Sequence, residues 1–128
     1  MTEPLVTFEI RDGYLVVIGH GSRNSLASMV EASEMIFKKL HETNMNYLLV
    51  DYTRLHINVH MAEAFNIVKR YETAQPELRN VLIAAAFNQA GLEFANYWKE
   101  IGMKRGFSIE IFDDLRDAEK WLWSKVKP

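Results

Sequence analysis

Apolar and polar positions alternate over residues 5–10, with Leu5, Thr7 and Glu9 on one face and Val6, Phe8 and Ile10 on the other. A period of two marks a strand. Arg11-Asp12-Gly13 is a hairpin-turn signal, because glycine accepts the positive φ that tight turns demand. Residues 14–18 form a more fully apolar strand, so the first two strands are expected to be antiparallel neighbours. After Gly19-His20-Gly21-Ser22-Arg23-Asn24-Ser25 the period becomes helical. Leu26, Met29, Val30, Ser33, Ile36, Phe37 and Leu40 share one face, and Glu31, Glu34, Lys38 and Glu42 lie opposite. Asn24 or Ser25 is the expected N-cap.

Residues 47–50 make a short apolar strand ending in Asp51, and a loop to Asn58 leads into a second helix. Its expected inner face is Met61, Ala64, Phe65, Val68 and Tyr71, with Glu63, Asn66 and Arg70 outward. Gln75-Pro76-Glu77 ends it, since proline donates nothing to the helical ladder. Residues 81–87 are apolar on both faces, as in a central parallel strand covered on either side. A third helix spans residues 91–104. The chain closes with an alternating strand from Phe107, an acidic cap at Asp113 and Asp114, and a helix whose inner positions are Leu115, Ala118, Leu122 and Val126. The order is β-β-α-β-α-β-α-β-α. It predicts an α/β fold with one mixed, mostly parallel sheet and an antiparallel first hairpin. The 128 residues suit one domain, 1–128, and show no repeat or linker.

Composition narrows the function more than it defines it. With 48% hydrophobic and 25% charged residues the chain reads as an ordinary globular protein. A net charge of -2 with interspersed signs leaves no electrostatic footprint for nucleic acid. The absence of cysteine excludes disulfides, thiol catalysis and cysteine-based zinc sites, and fits a cytoplasmic address. No apolar run is long enough to span a membrane, and the first residues lack the pattern of a signal peptide.

The order of elements, the Leu48-Leu49-Val50-Asp51-Tyr52-Thr53 strand end and the Phe112…Ala118-Glu119-Lys120-Trp121-Leu122 ending resemble the SpoIIAA-like proteins. These are relatives of STAS domains, the anti-sigma-factor antagonists and transporter tails, and share topological features with CRAL-TRIO lipid-transfer domains. The resemblance covers nearly the whole chain and implies a small, non-enzymatic module that binds a protein partner or an apolar ligand. It also implies a switch: the antagonists carry a phosphorylatable serine, in an Asp-Ser-Ser-Gly run, where the helix after the third strand begins. The matching stretch here, Asn58-Val59-His60-Met61, has no hydroxyl, so phosphate cannot be placed there.

In a parallel α/β sheet ligands bind beyond the carboxyl ends of the strands. Those ends supply His20, Ser22, Asp51, Thr53, His56, Asn58, Asn88, Gln89 and Asp113. The set holds carboxylates, a candidate base and hydrogen-bonding groups, yet caps and turns account for the same residues, and structural use outweighs catalysis. Gly19-His20-Gly21 lacks the third glycine of a dinucleotide fingerprint and the Gly-Lys-Ser/Thr of a P-loop. His56 and His60 lack a third ligand in register for zinc, so no metal and no cofactor are expected. Ser22, Ser25 and Ser28 stand near His20 without a Gly-x-Ser-x-Gly elbow.

The third helix is unusual in carrying apolar residues on both sides. Phe94, Trp98 and Ile101, flanked by Tyr97 and Ala95, form its core face, while Leu92 and Met103 lie opposite. Glycines at 91, 102 and 106 bracket it. Two readings follow. One is a cytoplasmic STAS-like regulatory or protein-interaction module, expected to be a homodimer because Leu92, Met103 and Trp123 exceed what the core needs. The other is a carrier of an apolar ligand or lipid, or a peripheral membrane binder, using a movable third helix. A strand-end enzyme ranks behind both.

Overall fold

The computed structural model describes residues 4–127. Strands β1 (Val6–Ile10), β2 (Leu15–Gly19), β4 (Tyr47–Tyr52), β6 (Leu82–Phe87) and β7 (Ser108–Phe112) form one sheet in the order β1-β2-β4-β6-β7. Only β1 runs antiparallel, pairing Val6 with Gly19 and Ile10 with Leu15. The other pairings are parallel, as the helical connections require. Gly13 sits at φ 91° in the turn between β1 and β2, the left-handed conformation that a Cβ disfavours. The sheet and its antiparallel first hairpin therefore follow the hydrophobic pattern.

Helices α1 (Leu26–Thr43), α2 (Ala62–Ala74) and α3 (Leu92–Lys104) cover one face, and α4 (Leu115–Val126) covers the other. The alternation of β2 explains the two layers. Leu15 and Val17 enter the larger core beneath α1–α3, while Tyr14 and Val16 meet Ala118 and Leu122 of α4. Strand β6 is buried along Ile83–Phe87 because both layers press on it. The helix starts are chemically distinct. Ser25 caps α1, accepting from the Ser28 amide at 3.2 Å, and Asp114 caps α4, accepting from the Asp117 amide at 3.1 Å.

Two features depart from the pattern reading. The segments before α1 and α2 contain two-residue strands, β3 (Ser22–Arg23) and β5 (His56–Ile57), which pair in parallel as a second small sheet. The second helix begins at Ala62, not after an Asn58 cap. Asn58 is spent elsewhere: its amide donates to the Arg23 carbonyl at 2.8 Å and its side chain to Asn24 Oδ1 at 3.1 Å. The inner face of α2 is also shifted. Ala64, Ile67, Val68 and Tyr71 are buried, whereas Phe65 is 38% exposed.

Candidate functional site

The carboxyl ends of the strands do converge, and the hydrogen bonds found there are structural. Asp51 Oδ1 accepts from the Thr53 amide at 3.1 Å and from its hydroxyl at 2.7 Å, a closed turn that employs both predicted residues. Asn88 Nδ2 donates to the carbonyls of Thr53 and Leu55 at 3.1 and 2.9 Å, and its Oδ1 accepts from the Gly91 amide at 3.0 Å. Asn88 thereby ties the loop after β4 to the start of α3. Ser22 and His56 are register partners in the small sheet. His20 Nε2 lies 2.8 Å from Thr7 Oγ1 across the β1–β2 pair, so this imidazole braces the sheet edge. Asp113 is exposed and leaves the capping of α4 to Asp114.

Topology gives the physical reason. Ligand crevices in open α/β sheets form where the strand order reverses and neighbouring connections part to opposite faces. The order β1-β2-β4-β6-β7 runs one way without reversal, and its three crossover helices share a face. The strand ends are left as a row of loops that bond to one another. Among the described residues, no group of three or more His, Cys, Asp or Glu side chains is arranged to hold a metal ion. His56 and His60 are both exposed, on β5 and in the turn before α2. The start of α2 carries no capping side chain, and Met61 stands at its N-cap position.

The apolar set of the third helix divides on burial. Phe94, Ala95 and Ile101 are buried, Leu92, Tyr97 and Trp98 are half-buried, and Met103 is 54% exposed. Trp98 meets Phe87 edge-on with ring centroids 6.3 Å apart. Phe94 and Trp98 form one wall of a cavity of about 80 Å³ whose other walls are α1, α2 and the sheet. The cavity reaches the surface on the α1 side, where its lining residues Met29, Ser33 and Ile36 are half-buried.

No family model matches the chain, and no curated protein matches it in sequence. Solved structures do. An anti-sigma factor antagonist from Mycobacterium paratuberculosis superposes with a TM-score of 0.59 at 15% identity, covering 92% of each chain. The chain has the SpoIIAA-like fold. A protein from Shewanella loihica PV-4 described as having that fold aligns at a TM-score of 0.49 and 18% identity, over 95% of this chain and 98% of that one.

Within this SpoIIAA-like frame, the most unusual side chain is one the hydrophobic pattern passes over. Arg23, on β3, is only 2% exposed. Its Nη2 donates to the Leu5 carbonyl at 2.8 Å, and its Nη1 to the carbonyls of His20 and Ser22 at 3.1 and 3.4 Å. The guanidinium carbon lies 5.8 Å from the centroid of the Tyr52 ring. Burial raises the Tyr52 hydroxyl above its ordinary pKa, and the neighbouring Arg23 charge opposes that rise. Tyr71, on the wall opposite, is pushed up to about 12, chiefly by burial. An arginine in a Gly-His-Gly-Ser-Arg-Asn run reads as a surface loop residue. Its one legible signal is the pair of glycines that let the backbone turn inward there.

Proposed function

We propose that this chain is a non-enzymatic STAS-like regulatory module that acts in the cytoplasm by binding a protein partner. The observation that carries the reading is the end-to-end match to an anti-sigma factor antagonist, 92% of each chain. The engagement of Asp51, Thr53 and Asn88 in turns and caps supports it, because no acid–base or nucleophilic pair is left at the strand ends. We place the partner surface at the beginning of α2. There Phe65 is 38% exposed, and the Arg105 guanidinium lies 5.4 Å from its ring centroid, an aromatic and arginine pairing typical of interface anchors. Asn58, Val59, His60 and Met61 offer no hydroxyl, so the module is not switched by phosphate at this helix start.

The test is quantitative capture from the source cells with tagged wild-type chain and a Phe65→Glu variant. Phe65 is exposed, so the variant retains its fold by circular dichroism. A defined protein recovered with wild type and reduced by about tenfold with the variant supports the reading, since a central aromatic anchor is worth at least that factor. Equal recovery with both chains overturns the placement at α2, and recovery of no specific protein overturns the module itself.

A further inference from the structure

The cavity beneath α1 combines an apolar lining with a buried cation. Arg23 lines it, and no Asp or Glu side chain does. Among the described residues Arg23 has no carboxylate partner, and three backbone carbonyls take three of its five N–H groups. Carbonyl dipoles solvate a guanidinium but do not cancel its charge, and a buried charge is ordinarily matched by an opposite one. Four further hydrogen-bonding side chains line the same space: Ser33, Tyr52, Tyr71 and Trp98. Ser33 already donates its proton to the Met29 carbonyl at 3.0 Å. The remaining groups are donors in search of an acceptor, and Tyr71, held protonated by burial, keeps its O–H at neutral pH. A donor-rich, cationic wall in an apolar chamber selects an anion with an apolar body.

We propose that the cavity under α1 is a binding site for a short-chain aliphatic carboxylate. The carboxylate accepts from the free N–H groups of Arg23, and the chain fills the space bounded by Ile36, Leu48 and Ile67. Size sets the class. The cavity holds about 80 Å³. That is roughly half of the ~150 Å³ that accommodates benzene in an engineered apolar cavity, so the occupant has on the order of four carbons. A larger hollow of about 330 Å³ lies near the end of α1, lined by exposed residues such as His41, Asn44 and Glu77, and contains no buried charge. The proposal goes beyond the partner reading and does not depend on it.

Butyrate, 1-butanol and butylamine are the probes, titrated into the full chain and followed by NMR at the Arg23 side chain and the methyl groups of Ile36 and Ile67. Butyrate produces saturable shifts at these groups, and the alcohol and amine bind about tenfold or more weakly because they lack the charge-assisted bonds. Arg23 variants are unsuitable, since the same side chain holds Leu5 and His20. Ala32→Leu instead fills the chamber from α1, where Ala32 is a 2% exposed lining residue. It abolishes the butyrate response and leaves the spectrum dispersed and partner capture unchanged. The proposal is overturned by the absence of saturable shifts, by an equal response to butanol, or by an undiminished response in Ala32→Leu; Arg23 is then a structural clamp alone.

Discussion

At the scale of single residues, close packing around Tyr52 and Tyr71 makes two quantitative expectations. A Cβ placed on Gly19 would stand 2.6 Å from two carbons of the Tyr52 ring, inside a buried strand where neither partner can retreat. Gly19→Ala is expected to lower stability by about 1–3 kcal/mol, the range for overpacking, read as a fall in the urea midpoint at constant slope. Tyr71 makes a pH-dependent expectation. Its hydroxyl is pushed from 10.0 to about 12 in the folded chain, so the native state holds this proton more tightly than the unfolded state does. The associated stability is complete below pH 10 and is lost as pH rises toward 12. Tyr14 behaves alike, raised to about 12 by burial and by its 2.8 Å hydrogen bond to Glu119. Denaturation across this alkaline window should show wild type losing stability and Tyr71→Phe losing less; identical alkaline slopes would contradict the assignment.

Among the elements, the helices differ in how firmly they are held. Only Ala32 and Leu40 are buried among the 18 residues of α1. The 13-residue α2 buries Ala64, Ile67, Val68 and Tyr71, and the 13-residue α3 buries Phe94, Ala95, Ile101 and Gly102. Hydrating each large apolar side chain costs roughly 1.5–3 kcal/mol, so α1 has the smallest barrier to opening despite its length. Native-state amide exchange is expected to release α1 before α2 and α3, which also opens the Arg23 cavity. Exchange that begins in α3 would restore the third helix as the moving part. These differences also explain what the sequence made legible. The main strands and α1, α3 and α4 follow from periods of two and 3.6 carried over at least five residues. The strands β3 and β5 are two residues each and too short to display any period. Asn58 has a cap's chemistry, yet the β3–β5 pairing claims it first. Phe65 lies on the edge of the apolar stripe of α2, roughly a third of a turn from its centre, where Arg105 covers it in place of the sheet. The strand-end residues were legible as a cluster, while their occupation by turns depends on a strand order no local pattern encodes. Arg23 was illegible because burial of a loop arginine is decided by carbonyls eighteen and three residues away.

For the whole molecule, one face of the sheet carries three helices and the other carries one. Trp123 of α4, on the thinner side, is 39% exposed and packs edge-on to Tyr14 at 6.1 Å. We expect self-association at micromolar concentration, with Trp123→Glu displacing it toward a species of 14.9 kDa in sedimentation. A wild-type chain that sediments at the monomer mass throughout would remove the homodimer from the account. Among the described residues, no helix is long and apolar enough to cross a membrane, so contacts of this kind must be made by surfaces of the folded chain.

The central claim is that the beginning of α2 receives a protein partner. Hydrogen–deuterium exchange on the complex of the chain with its captured partner tests this most directly. The account predicts new protection confined to residues 56–66 and to the neighbouring Arg105 region, with the α4 face unchanged. Protection that falls on α4 and leaves residues 56–66 exchanging as in the free chain would contradict it.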